Sequence, residues 1–569
     1  MLRNLSGEIG ATSGKDDATI YALSTAPGRA AIAIIRISGP ACLAVWLQSY
    51  IWIILYNFSQ IYQALCPGRP LPTPRKATLR TLYCPFKHAN RTVNYILEPG
   101  VLVLYFPRPQ TVTGEDVLEL HVHGGTAIVK AVLKAIPQAH KNSPHGSRHV
   151  VRYAEPGEFT RRAFYDNRLD LTQIEALGDV LSAETEMQRR LALNRTKDGL
   201  AKRYEAWRQQ LLYARGELEA LIDFSEDQHF EESPAKLVSS VAKQVEQLSS
   251  RVQASIQNAS RGELLRGGIS IALVGAPNAG KSSLLNLIVG REAAIVSKEE
   301  GTTRDVVEIG VNISGYYCRL NDLAGLRGGS FPHSDFTDTT SIIGEVEAEG
   351  IRRAKERALT ADVVIVVLSI EPTEKSLDIK LNSEVRATIA KCDSGRQKII
   401  CVVNKWDLVR KHGYCAQRVF ANINRSVATD RDLAAAQGRV YYFSCEDAVS
   451  TAGNIQHLLH ELSEVFREMT TAVGVDGESD SRDPAIWEES LGASERQRLL
   501  LQQCLDHLNA FVLQVKPSEG QSDSTPEEAD IDIVLAAESL RAAADCLAKI
   551  TGKGETGDVE EVLGVVFEK

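Results

Sequence analysis

The sequence predicts a multidomain protein with an α/β domain at the amino end, a helical domain made from two separated segments, and a mainly parallel α/β domain inserted between those segments. Three observations predict it. Short β-branched runs broken by tight turns fill the amino-terminal part. Leu-, Ala-, Glu-, Gln- and Arg-rich stretches with helical periodicity fill residues 169–265 and return at 494–515 and 536–550. From 269 to about 470, β-branched runs alternate with helical stretches, the rhythm of βαβ units.

In chain order, residues 18–25 and 32–37 read as strands joined through Pro27-Gly28-Arg29, and the second ends at Ser38-Gly39-Pro40. Strands follow at 101–105 and 117–122, the latter alternating apolar and polar residues before the Gly124-Gly125 turn. After the long helical stretch come strands at 269–274, 363–368, 399–403 and 440–443. An acidic linker at 474–483 and an acidic loop at 517–532 separate the last helices. The expected domains are 1–165, with a suspected insertion at 46–61, then 166–265, 266–473, and 474–569 as linker and second helical segment.

With 569 residues, three or four cores are needed at roughly 100 to 200 residues per domain. Apolar residues at 44% and charged residues at 24% exclude a disordered or fibrous chain. A net charge of -9 argues against a protein coated with basic residues for bulk nucleic-acid binding. The ten cysteines form no C-x-x-C pair, which reads as a reduced compartment without a disulfide framework or zinc knuckle. The most apolar run, 45–58, is broken by Gln48, Ser49 and Asn57 and falls short of the roughly 18 residues a membrane span needs. The first seventeen residues carry Arg3 and Lys15 but also Glu8, Asp16 and Asp17, a weak targeting signal.

The strongest chemical signal is Gly275-Ala276-Pro277-Asn278-Ala279-Gly280-Lys281-Ser282, a full G-x-x-x-x-G-K-S match between a strand and a helix. Such a loop closes backbone N–H groups around phosphates, Lys281 reaches the β and γ oxygens, and Ser282 offers its hydroxyl to Mg²⁺. Asn404-Lys405-Trp406-Asp407 ends a later strand. A carboxylate there accepts both N–H donors of a guanine edge, a pair that adenine lacks. Asp322-Leu323-Ala324-Gly325 supplies D-x-x-G, with Asp322 on Mg²⁺ through water and the Gly325 N–H at the γ-phosphate. Thr303, within Gly301-Thr302-Thr303-Arg304, is the expected switch threonine, and Ser444-Cys445 the pair that packs on the base. Leu326 stands where many GTPases carry a water-positioning Gln, so another group must orient the attacking water. Asn278 marks a place for a monovalent cation.

These residues, together with Ala26-Pro27-Gly28-Arg29, Arg36-Ile37-Ser38-Gly39, Thr113-Gly114-Glu115-Asp116, His123-Gly124-Gly125, Pro156-Gly157-Glu158-Phe159-Thr160 and Arg168-Leu169-Asp170-Leu171, resemble the MnmE/TrmE tRNA-modification GTPases over nearly the whole chain. The resemblance implies a folate-binding α/β amino-terminal domain that dimerises, a discontinuous helical domain, and an inserted P-loop GTPase domain. It implies that the protein works with the FAD-dependent MnmG on C5 of the wobble uridine of tRNA, using a tetrahydrofolate one-carbon unit such as 5-formyltetrahydrofolate. Arg36, Glu119 and Arg168 fall at folate-contacting positions. Read alone, they are a surface Arg, a half-exposed strand Glu and a helix-start Arg.

The resemblance also implies K⁺ activation, with the Asn278 side chain and the main chain of Ser297, Glu299 and Thr302 as ligands, and Glu347 as the residue that orients water. The nucleotide would touch Asn278, Ala279, Gly280, Lys281, Ser282 and Ser283, and the eukaryotic members imply a mitochondrial location. A GTP-dependent RNA or ribosome assembly switch is the alternative function. Departures from the family pattern are Leu323 in D-x-x-G, a longer connection at 328–344, the insertion at 46–61, which is either a retained intron or a real surface helix, and the absence of the family's Cys-x-Gly-Lys tail after Val565. That last departure leaves two readings, a sequence cut short or a form that hydrolyses GTP but is impaired in modification.

Overall fold

The computed structural model describes residues 18–42, 61–88, 91–141, 150–195, 199–223, 234–276, 278–292, 294–299, 308–320, 352, 355–372, 377–379, 383–392, 397–429, 439–450, 453–475, 484–515 and 532–552. They fall into two compact units that divide between Ile174 and Glu175.

The first unit is built on a sheet. Its described strands are β1 (Thr19–Leu23), β2 (Ile32–Ser38), β3 (Thr78–His88), β4 (Arg91–Phe106), β5 (Val117–His123) and β6 (Val151–Tyr153), in the order β3-β4-β5-β2-β1-β6. All neighbours are antiparallel except β1 and β6. Alternation decides what each face does. Ala33, Ile35, Ile37, Leu118, Leu120 and Val122 are buried in a core shared with helices α1 (Ile61–Leu65) and α2 (Thr126–Lys141). Their alternates Ile34, Arg36, Glu119 and His121 stand half-buried on the other face. The expected strand at 101–105 is the end of the much longer β4. Ile61, assigned to the suspected insertion, opens α1 and is fully buried, so the core reaches one residue further than expected; residues 46–60 lie outside the described residues. Helix α3 (Glu158–Tyr165) follows β6.

In the second unit, helices α4 (Leu171–Ser182, from Glu175 onward), α5 (Glu186–Arg195), α6 (Gly199–Asp223) and α7 (Pro234–Gly267) precede the α/β segment. That segment holds β7 (Ile269–Gly275), α8 (Lys281–Leu287), β8 (Ala294–Glu299), β9 (Glu308–Ile313), β10 (Tyr316–Leu320), β11 (Val363–Pro372), β12 (Leu377–Ile379), α9 (Ser383–Ile389), β13 (Lys398–Asn404), α10 (Asp407–Lys411), α11 (Ala416–Thr429), β14 (Val440–Tyr442), α12 (Cys445–Ser450) and α13 (Gly453–Thr470). The described strands run β14-β13-β11-β7-β10-β9-β8, parallel from β14 to β10 and antiparallel from β10 to β8, with β12 paired to β11. Central strands covered on both faces need continuous apolar sequence rather than alternation. Val363 to Ile370 is accordingly buried at every position.

Helices α14 (Pro484–Ser490), α15 (Glu495–Val515) and α16 (Ile533–Thr551) complete the unit. One core unites Tyr204, Leu211 and Leu218 of α6 with Val241 and Val245 of α7, Leu501 and Leu508 of α15, and Leu540 and Leu547 of α16. The helical layer is thus made from both sides of the α/β segment. The chain leaves and returns at one clasp. Buried Asn258 on α7 donates to the Val473 carbonyl at 2.9 Å and to Ser490 Oγ at 2.8 Å, and accepts from the Val473 N–H at 2.7 Å. Glu175 adds a second tie, accepting from Arg496 at 2.8 Å, Gln497 at 2.6 Å and Ser494 at 3.0 Å.

Candidate functional site

Strand β7 delivers its carboxyl end to a turn that cannot be made by ordinary residues. Gly280 has φ 96° and Asn278 φ 59°. A Cβ on Gly280 would sit 2.0 Å from Asn404 Nδ2, so the position requires glycine for space as well as for conformation. Lys281 folds back over the loop and donates to the carbonyls of Gly275 at 2.8 Å and Ala276 at 2.9 Å. Its ammonium is thereby held at the loop, where phosphate oxygens would be met. Ser282 and Ser283 occupy the first turn of α8.

The second half of the site comes from the ends of β13 and β14. Asn404, 3% exposed, donates Nδ2 to the Ala279 carbonyl at 2.8 Å and accepts at Oδ1 from the Cys445 N–H at 3.2 Å. One amide therefore ties the phosphate loop, β13 and the start of α12 together. Lys405 adopts φ 64°, and the turn delivers Asp407 to the first residue of α10. The Asp407 carboxylate accepts from Ser444 Oγ at 2.9 Å and pairs with Lys411 Nζ at 3.0 Å. Burial alone would raise its pKa; the bonds from Lys411 and Ser444 outweigh that and hold it below the usual carboxylate range. Burial pushes the Cys445 thiol up to about 11, against the opposing bond to Asn404. The thiol is therefore neutral, fit to pack against a base rather than act as a nucleophile.

The structure thus brings together Ala279, Gly280, Lys281, Asn404, Asp407, Ser444 and Cys445. Ser297 and Glu299 belong to β8, paired in register with Gly310 and Glu308. Gly301, Thr302, Thr303, Asp322, Leu323, Ala324, Gly325 and Glu347 lie outside the described residues.

In the first unit, Arg36 and Glu119 are register partners on β2 and β5, and Arg36 Nε donates to Glu119 Oε1 at 2.9 Å. The guanidinium lies 5.8 Å from the Phe159 ring centre, and His121 Nε2 is 3.5 Å from Glu119 Oε2. Arg168 donates to the Thr111 carbonyl at 3.1 Å, and among the described contacts none joins it to the Arg36–Glu119 pair. Sequence reading missed Arg162, which binds the Ala18 carbonyl at 2.8 Å, Glu115 at 2.9 Å and Glu158 at 3.1 Å. Glu115 also accepts from Ser38 at 2.8 Å, so three of the signature motifs converge on one buried guanidinium. The i,i+4 spacing of Glu158 and Arg162 was the available signal. Lys411, four residues after Asp407, was missed in the same way.

Two family models match the chain: the MnmE helical domain over residues 171–569 and the GTP-binding protein TrmE N-terminus over residues 19–168. The chain belongs to the MnmE/TrmE family of tRNA-modification GTPases. The 5-taurinomethyluridine-[tRNA] synthase subunit GTPB3, mitochondrial, of Danio rerio is 35% identical over 97% of this chain and 92% of its own length. The mitochondrial tRNA modification GTPase mss1 of Schizosaccharomyces pombe is 34% identical over 97% of this chain and 94% of its own. MnmE of Parvibaculum lavamentivorans is 44% identical over 62% of this chain and 69% of its own. As an MnmE/TrmE member the protein is a GTPase acting in tRNA modification, and its eukaryotic relatives are mitochondrial. Among the described residues no helix is long and apolar enough to cross a membrane.

Proposed function

We propose that this chain is the K⁺-activated, GTP-hydrolysing subunit of a mitochondrial complex that modifies C5 of the wobble uridine, position 34, in tRNA with a tetrahydrofolate one-carbon unit. The observation that carries the nucleotide half is the Asn404 bridge, which ties the G-x-x-x-x-G-K-S loop to the Cys445 N–H, next to the Ser444 hydroxyl that donates to the Asp407 carboxylate. The donor set fits a guanine nucleotide. Lys281 would neutralise the β and γ phosphates, and Asp407 would accept the two N–H groups of the guanine edge. Mg²⁺, when bound, neutralises charge developing on the phosphates; Ser282, Asp322 and Thr303 would hold it. Asn278, with main-chain oxygens of Ser297, Glu299 and Thr302, would hold K⁺, and Glu347 would orient water in place of the Gln that Leu326 replaces.

The one-carbon half rests on the Arg36–Glu119 pair beside Phe159. A guanidinium suits a folate glutamyl carboxylate and a half-buried carboxylate suits the N–H groups of a pterin ring, with Arg168 as a third contact. A second copy of this chain, joined through the amino-terminal domain, an MnmG-type FAD-dependent protein, and tRNA complete the proposed assembly. The relatives named for 5-taurinomethyluridine support a C5-modified uridine as product. Single-turnover GTP hydrolysis compared in KCl and NaCl tests the reading: faster hydrolysis in KCl is expected, and equal rates would remove the cation from the mechanism.

A further inference from the structure

We infer that Lys411 is a positioning residue that sets the selectivity of the site for guanine by fixing the orientation of the Asp407 carboxylate. The inference rests on the reading that Asp407 is the base acceptor. Lys411 ends α10, one turn beyond Asp407, and its ammonium bridges two carboxylates: Asp407 at 3.0 Å and Glu446 of α12 at 2.7 Å. Beside it, Arg410 pairs with Asp447 of the same helix, so two cations from α10 hold the start of α12. The other Asp407 oxygen is held by Ser444, itself 0% exposed.

Counting acceptors shows what this does. An ionised carboxylate has about four acceptor sites, two on each oxygen. Ser444 takes one on Oδ1 and Lys411 one on Oδ2. Counting donors from other residues, one site per oxygen remains, which is what a guanine edge needs for its N1–H and its N2 amino group; the Asp407 N–H adds a contact from within the residue. Hypoxanthine offers only N1–H. Discrimination between the two bases therefore depends on both oxygens being correctly aimed at once. Ser444 fixes only one of them. Rotation of the carboxylate about its Cβ–Cγ bond is stopped by the second donor, Lys411, which Glu446 in turn keeps in place. Lys411 is half exposed, and exposed ion pairs add little to stability. Its role is thus expected in selectivity rather than in folding.

The test measures dissociation constants of GDP and IDP for the full-length chain. Lys411→Met is expected to lower the GDP-over-IDP preference roughly three- to tenfold, as for weakening one hydrogen bond to a charged acceptor. Lys411→Arg should restore most of it, and Glu446→Gln should give a smaller drop. An unchanged ratio in Lys411→Met, or equal losses of GDP and IDP affinity, would overturn the inference in favour of a merely structural contact. Asp407→Asn separates the two levels: it should abolish the preference and favour xanthosine diphosphate. If it leaves the GDP-over-IDP ratio intact, the base assignment itself falls, and the role of Lys411 with it.

Discussion

Glu158 is 2% exposed and nevertheless ionised, which needs a physical cause. Burial raises its pKa, but two 2.7 Å bonds from Arg152, the Glu155 N–H at 2.9 Å and the nearby charge of Arg162 carry it below the ordinary value of 4.5. A carboxylate depressed in the folded state contributes stability that is complete above the unfolded pKa and is lost as pH falls through the folded one. Glu158→Gln should therefore cost about 3 to 5 kcal/mol at pH 7, the penalty for breaking a buried pair from one side. The difference from wild type should shrink as pH drops below about 4.5. Urea unfolding of both proteins at pH 7 and pH 4 checks this; a pH-independent difference would remove the charge from the explanation. Asp407 follows the same sign, so loss of guanine binding in acid is part of the same chemistry. At this scale the phosphate loop and N-K-x-D were legible because their residue types and spacing are set by the ligand. Arg162 and Lys411 were not, since an i,i+4 charge pair also occurs on any solvated helix face.

At the scale of elements, the clasp between α7 and the returning chain is the tightest approach at any described glycine. A Cβ on Gly262 would lie 1.6 Å from the Leu491 carbonyl oxygen. Gly262→Ala sets two effects against each other. Helix propensity gains about 1 kcal/mol, whereas a backbone displacement in a packed junction costs about 1 to 3 kcal/mol or more. The obstacle is main chain rather than the end of a flexible side chain, so overpacking wins. The variant should melt at a lower temperature than wild type, and a higher melting point would show that the junction yields freely. The helical periodicity that announced α7 says nothing about Gly262, because a glycine in a helix looks the same whether it is packed or exposed. Nor could Asn258 be singled out. Its three hydrogen bonds involve Val473 and Ser490, more than 200 residues away.

For the molecule as a whole, the proposed one-carbon and nucleotide sites belong to different compact units. Arg36→Ala should abolish 5-formyltetrahydrofolate binding by calorimetry and leave GDP affinity unchanged within about twofold, as expected for sites whose residues belong to separate compact units. Retained folate affinity would remove Arg36 from that site. By itself the sequence determined the order of the architectures, the parallel rhythm of the α/β segment, the chemistry of the phosphate and base loops, and family membership. These are written in local patterns: period 2, period 3.6, and loops whose composition a bound ligand dictates. Only the tertiary structure decided that α6 and α7 share one core with α15 and α16, that Asn258 closes the insertion, that Glu115, itself bonded by Ser38, meets Glu158 at Arg162, and that Lys411 bridges two helices at the base site. Each of those depends on residues far apart in sequence. Burial and hydrogen bonding select such partners by position in space, and a linear pattern carries no record of it.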